Sequence, residues 1–134
     1  MADRSFSGVL STIGGRVRVV TCLVLVQDTA ITLVNTQGVP APNPLIDSVS
    51  RFSAGKYVIV MKDAYKGLRA LAAMYAPTEE NVDLIAQVQT VQNLGTATPA
   101  VAVVRLKTGT VNTDPSATGG IISMFFIFED SGAY

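Results

Sequence analysis

The sequence predicts an all-β protein: an antiparallel β-sandwich, jelly-roll-like, of about seven to eight strands. Short stretches rich in valine, isoleucine and threonine recur along the 134 residues, and their side chains alternate between two faces. Clusters of glycine, proline, asparagine and aspartate separate these stretches and are typical of turns. A chain of this length can bury its own core, and the single cysteine, Cys22, excludes an internal disulfide.

The N-terminal part of the chain predicts an arm followed by two strands. Residues 1–15 are rich in serine and glycine and are expected to form an N-terminal arm, which leaves residues 16–134 for a single β-sandwich domain. Residues 16–27 form a long valine-rich strand that is apolar on both faces, and residues 30–35 form a second strand. Prolines in residues 36–44 then exclude a helix or a central strand and predict an exposed connector.

The middle of the chain contains one clear strand and one ambiguous element. Residues 45–55 alternate weakly, whereas residues 55–63, "GKYVIVMKD", alternate cleanly. Residues 64–76, "AYKGLRALAAMYA", combine good helix formers at helical spacing with an equally good period of two. A strand and a short helix near residues 64–75 are therefore both open.

The C-terminal part predicts three further strands separated by polar loops. Residues 82–92 alternate, and residues 100–107 form a valine-rich run. Residues 108–120, "TGTVNTDPSATGG", have the composition of a long turn-rich loop. Residues 121–129 form the last strand.

The last predicted strand is almost continuously apolar. One face is wholly apolar and suits the core of a sandwich; it consists of Ile122, Met124, Phe126 and Phe128. The opposite face consists of Ile121, Ser123, Phe125 and Ile127. Since an apolar face in water is an aggregation hazard, we expect Ile121, Phe125 and Ile127 to contact another subunit.

The composition also indicates a surface that other protein covers. Charged residues make up 15% of the chain, against roughly 25% in a typical soluble domain, and ten acidic residues balance ten basic ones. The apolar stretches are far shorter than the ~20 residues of a spanning helix, and the N-terminus lacks a signal-peptide core. Lysine and arginine are scattered without a basic stripe. We therefore expect an oligomer made in a cytoplasm, with neither membrane nor nucleic acid as partner.

The residue types give little support for catalysis. The absence of histidine removes the usual triads and most zinc sites, and Cys22 lies in an apolar run typical of a core residue. We therefore expect a protein that is not an enzyme and has no metal or cofactor. The aspartates at strand ends are expected to be solvated turn residues; they are Asp28, Asp47, Asp63, Asp83 and Asp114.

The loops and the aromatic residues offer two weaker candidate sites, one for calcium and one for a sugar. The segment "NTDPSATG" offers oxygen ligands for calcium at Asn112, Asp114, Ser116 and Thr118, but it has too few carboxylates for a calcium loop. A sugar platform would need exposed aromatic side chains, drawn from Phe52, Tyr57, Tyr65, Tyr75 and Tyr134. Of these only Tyr134 is expected to be exposed, and the others to lie in the core or in subunit contacts.

Two segments of the chain have recognisable patterns. Residues 52–65, "FSAGKYVIVMKDAY", combine a Gly-Lys-Tyr strand with a charged turn. In residues 111–131, "VNTDPSATGGIISMFFIFEDS", an Asp-Pro loop leads into a last apolar strand. The two segments resemble the Gly-Lys-Tyr strand and the closing hairpin of small trimeric β-sandwich proteins of bacteriophage virions, of the capsid decoration, cement or fibre-tip type.

The resemblance implies a function, partners and a location. It implies a non-enzymatic virion structural protein, a capsid decoration or cement protein that binds and stabilises the major capsid lattice as a homotrimer. Its partners would be its own copies and the major capsid protein or another virion protein, and it would reside in the virion after synthesis in the host cytoplasm. The alternative is a receptor- or glycan-binding fibre-tip or tail module.

Overall fold

Two antiparallel sheets form the fold of the protein, which a computed structural model describes over residues 17–79 and 82–130. The strands in this part of the chain are β1 (Val17–Gln27), β2 (Ala30–Leu33), β3 (Ile46–Ser53), β4 (Lys56–Met61), β5 (Tyr65–Pro77), β6 (Ile85–Gln92), β7 (Val101–Thr108), β8 (Val111–Asn112) and β9 (Gly120–Asp130). Among these residues no helix is long and apolar enough to cross a membrane. The predicted arm, residues 1–15, lies outside the described residues.

The strands divide between a four-stranded and a five-stranded sheet. The four-stranded sheet has the order β2-β1-β9-β5, and the five-stranded sheet has the order β3-β4-β7-β6 with β8 paired to β7. Every pairing is antiparallel, and β1 pairs with β9 from Val17–Glu129 to Val26–Gly120. The predicted antiparallel sandwich is therefore confirmed, and the first and last strands lie side by side in its four-stranded sheet.

The core lies between the sheets and follows the alternation seen in the sequence. The side chains that point inwards from β1, β4 and β9 are buried: Val20, Cys22, Val24, Val26, Tyr57, Ile59, Met61, Ile122, Met124, Phe126 and Phe128. At one end of the core the ring of Tyr65 stacks on Phe128, with centroids 4.2 Å apart. Full burial of an apolar side chain contributes about 1.5–3 kcal/mol each, so these alternating faces fix which side of each strand turns inwards.

β5 resolves the ambiguity of residues 64–76. It is a strand of 13 residues that pairs along β9 from Tyr65–Asp130 to Pro77–Gly120. The alternative of a short helix near residues 64–75 is wrong, because the second edge of β9 needs a long partner for its backbone groups. Two register shifts near Gly67 and Arg69 absorb the irregular start of the strand.

Candidate assembly surface

The outward-facing side chains of residues 19–25 in β1, 121–127 in β9 and 70–76 in β5 form one continuous surface without a charged residue. Paired residues of antiparallel strands share a face, so the registers place these side chains in rows across the sheet. We call this set the apolar face: Val19, Thr21, Leu23, Leu25, Ala70, Ala72, Met74, Ala76, Ile121, Ser123, Phe125 and Ile127. The only polar members are two hydroxyl residues, Thr21 and Ser123.

The three side chains predicted for a subunit contact all belong to the apolar face. Phe125 lies between Thr21 and Ala72 and is 39% exposed. Ile121 and Ile127 lie on either side of it along β9 and are half-buried. The alternation predicted for the last strand is thus confirmed, while contact with another subunit stays a prediction.

Small neighbours explain why Phe125 stands exposed. Its cross-strand partners Thr21 and Ala72 have short side chains that cannot cover an aromatic ring. The ring therefore projects from a nearly flat sheet surface. One position further along, Phe126 is fully buried in the core, so two adjacent phenylalanines have opposite environments.

The apolar face has defined borders. At one end, Arg69 Nη2 and Glu129 Oε1 form an ion pair of 3.2 Å. At the other end, the loop after β2 lies over Ile121, since a Cβ added at Gly38 would be 4.0 Å from Ile121 Cδ1. On the β5 side Met74 is 72% exposed. The surface is therefore framed by a charged pair, a loop and a protruding methionine.

A groove of about 330 Å³ runs along the β1 side of this face. β1 forms one wall through Thr21 and Leu23, and the loop between β2 and β3 forms the other. Asn43 Nδ2 donates a hydrogen bond of 2.8 Å to the carbonyl oxygen of Thr21, which holds the loop against the strand. The groove is open and has no charged lining residue, so it extends the apolar face sideways.

The loop considered for calcium is held by a different interaction. Both carboxylate oxygens of Asp114 accept hydrogen bonds from Arg51, at 3.1 Å from Nε and 2.7 Å from Nη2, and Oδ1 also accepts one of 2.8 Å from the backbone N–H of Gly55. These bonds hold the pKa of Asp114 below its ordinary value, with the Arg51 hydrogen bond as the largest cause. Within the described ranges, no group of three or more acidic, cysteine or histidine side chains could hold a metal ion.

The remaining candidate residues are distributed through the fold. Cys22 is buried, and burial raises the pKa of its thiol to about 12, so it behaves as a small core residue. Tyr57 and Tyr65 are buried as well, whereas Phe52 is 69% exposed on the five-stranded sheet. The structure therefore does not bring these aromatic side chains together as a sugar platform, and Tyr134 lies outside the described residues.

Comparison with known proteins adds no relative: no family model, no curated protein and no solved structure matches the chain. The surfaces described above therefore carry the functional argument.

Proposed function

We propose that the protein is a non-enzymatic virion structural protein, a bacteriophage capsid decoration or cement protein that binds the major capsid lattice as a homotrimer. The observation that carries this proposal is the apolar face, an uncharged surface across three strands with Phe125 39% exposed at its centre. The low charge of the chain and the resemblance of residues 52–65 and 111–131 to trimeric virion proteins support it.

Leaving the apolar face in water costs free energy, and self-association would remove that cost. Contiguous apolar patches larger than a few hundred square ångströms are rare on monomeric proteins and mark interaction sites. Burial stabilises an interface by roughly 25 cal/mol per Å² of apolar area before the costs of association. Around a threefold axis each copy presents the same apolar face, so one surface serves every subunit.

The second candidate is a receptor- or glycan-binding fibre-tip or tail module. One observation favours it: Asp28 and Glu79 lie beside the loop before β9. The backbone N–H of Asp28 donates a hydrogen bond to the carbonyl oxygen of Ser116, and Thr118 Oγ1 donates one to Glu79 Oε1. Loop carboxylates at one end of a sandwich are half of what such a module needs. The aromatic side chain near Glu79 at that end, Tyr75, is half-buried, so decoration is the better-supported function.

Light scattering coupled to size-exclusion chromatography tests the assembly. The wild-type protein is expected to have the mass of a trimer, and Phe125→Ser is expected to shift it towards monomer while the fold is retained. Phe126→Ser is the matched control: it removes the same side chain from the core and should unfold the protein, since truncating a buried phenylalanine costs about 3–5 kcal/mol. A stable wild-type monomer would overturn both functions, and normal assembly of Phe125→Ser would remove the apolar face as the contact.

Copy number in particles separates the two candidate functions. Purified virions or capsids that contain the protein in many copies support decoration of the lattice, whereas a few copies support a tail or fibre module. A specific hit in a glycan-binding screen would also favour the module. Absence of the protein from purified particles would contradict both.

A further inference from the structure

Four basic side chains have no acidic partner in the part of the chain that the structure describes. Arg51 pairs with Asp114 and Arg69 with Glu129. In contrast, no described carboxylate forms an ion pair with Lys56, Lys62, Arg105 or Lys107. Unpaired charge in a chain with few charged residues needs an explanation, and all four lie on or beside one sheet.

The register of the five-stranded sheet brings these side chains together on its outer face. Lys56 on β4 is directly opposite Arg105 on β7. Their neighbours Tyr57 and Leu106 are fully buried, so Lys56, Arg105 and, two residues on, Lys107 point away from the core. Lys62 follows the end of β4. The first three form a row across the middle of the sheet.

The central cation is fixed by a neutral partner. Nε and Nη2 of Arg105 both donate to Oε1 of Gln87, at 3.0 and 2.8 Å. An amide orients the guanidinium without cancelling its charge, whereas a carboxylate would cancel it. The row thus combines an ordered geometry with an uncompensated positive charge, which favours an external anionic partner.

Exposed apolar side chains flank the same row. Phe52 is 69% exposed, and Lys56 Nζ lies 5.1 Å from the centroid of its ring. On the other side Ile85, opposite Lys107, is 58% exposed. A groove of about 220 Å³ adjoins Phe52 and Lys56 on the side away from Ile85 and is lined by Phe52, Lys56, Val58, Gln92, Val101 and Val103. The surface is therefore basic and apolar at once.

We propose that this cationic face, consisting of Phe52, Lys56, Ile85, Arg105 and Lys107, binds an acidic segment of another protein that also carries apolar side chains. Charge complementarity selects the carboxylates, while Phe52, Ile85 and the valine-lined groove take the apolar groups. A double-stranded nucleic acid would present phosphates alone and leave Phe52 and Ile85 without a contact, whereas unpaired bases could stack on Phe52, which is why a single-stranded DNA is the competing probe. The inference is independent of self-association through the apolar face, which lies on the other sheet.

Fluorescence anisotropy with short labelled probes tests the proposal on the full chain. The probes are a glutamate peptide interrupted by leucines, the same peptide with serine for leucine, and a single-stranded DNA of equal charge. We expect the leucine-containing peptide to bind best and its affinity to fall as salt rises. Equal binding of the DNA, or failure of the leucine-containing peptide to bind, would overturn the proposal.

Two variants of the cationic face and one control variant on the four-stranded sheet locate the binding. Lys56→Glu/Lys107→Glu should weaken binding of the leucine-containing peptide about tenfold or more, and Arg18→Glu/Lys66→Glu, with the same change of net charge on the four-stranded sheet, should not. Phe52→Ser keeps the charges and should weaken binding of the leucine peptide several-fold but not that of the serine peptide. Equal losses in the two charge variants would contradict the proposal. A change of oligomeric mass in Lys56→Glu/Lys107→Glu would do so too, because the occupant would then be a second copy.

Discussion

Asp114 ties the loop before β9 to the turn between β3 and β4. Its carboxylate accepts hydrogen bonds from Arg51 and from the backbone of Gly55, and these bonds lower its pKa below the ordinary value. A carboxylate whose pKa is lower in the folded state stabilises the fold above the pKa of the unfolded state, about 3.9. That contribution is lost as the pH falls through the lowered pKa of the folded state.

Replacing Asp114 should therefore lower stability in a pH-dependent way. Asp114→Asn is expected to reduce the free energy of unfolding at neutral pH by about 1–2 kcal/mol, the lower part of the range for hydrogen bonds to a charged group, because the pair with Arg51 is partly exposed to solvent. The difference from wild type should shrink as the pH falls below about 4. Urea unfolding across this pH range measures it, and Asp63→Asn, at an exposed aspartate, is the control. A difference that stayed constant in acid would contradict the role of the ionised carboxylate.

At the scale of elements, the approach of the last loop to β1 depends on Gly119. Gly119 and Gly109 have the same left-handed φ of 62°, but their surroundings differ. A Cβ at Gly119 would overlap the carbonyl oxygen of Val26, whereas one at Gly109 would have no atom within 4 Å. The loop before β9 thus packs directly on the end of β1, and the turn between β7 and β8 is open.

This pair separates steric overlap from backbone strain. Gly109→Ala should cost only the left-handed conformation, about 1–2 kcal/mol. Gly119→Ala should cost about 1–3 kcal/mol more, because the overlap involves backbone that cannot move aside. Thermal and urea unfolding of the two variants measure the difference. Equal losses of stability would show that β9 can start without the close approach to β1.

The sequence predicts β4 well because its large side chains alternate cleanly, and it predicts β1 and β9 well because their long runs of β-branched and aromatic residues suit a strand. It leaves β5 open because good helix formers recur there both at helical spacing and with a period of two, and only pairing with β9 decides between them. For the same reason the sequence does not predict that Met74 is exposed on the outer face of β5. Phe52 escapes prediction because a register shift between Arg51 and Ser53 places it outside the alternation of β3.

The two outer surfaces differ in how far the sequence predicts them. Ile121, Phe125 and Ile127 can be found from one strand, since each face of β9 is a simple alternation. The cationic face depends on the register between strands that are distant in the chain, such as Lys56 opposite Arg105. That register cannot be derived from the residue pattern of a single sequence.

At the scale of the whole molecule, the sandwich presents two chemically different faces. The apolar face of the four-stranded sheet carries no charge across three strands, and the five-stranded sheet carries the cations without acidic partners. A two-sided protein can contact its own copies through one sheet and a different protein through the other. The arrangement fits a component of a larger assembly.

The closeness of the start of β1 to the end of β9 predicts that the domain tolerates a new starting point. Val17 pairs with Glu129, so a designed linker can join these two strand ends. A circular permutant opened between Gly109 and Thr110, in the open turn after β7, should fold with the wild-type circular dichroism spectrum. Opening instead between Met124 and Phe125 cuts β9 and should prevent folding. If the permutant opened between Gly109 and Thr110 did not fold, the prediction would be wrong, and the join between the two strand ends would be what prevents folding.

The pairing of β1 with β9 also has a consequence during synthesis. A ribosome completes β1 well before β9, so the inward valines of β1 stay without their neighbour until β9 has been made. Contacts between such distant parts of a chain form slowly, and the exposed strand can pair wrongly in the meantime. We expect the nascent chain to depend on chaperones until β9 has emerged, and a message truncated before Gly120 to yield an aggregating product.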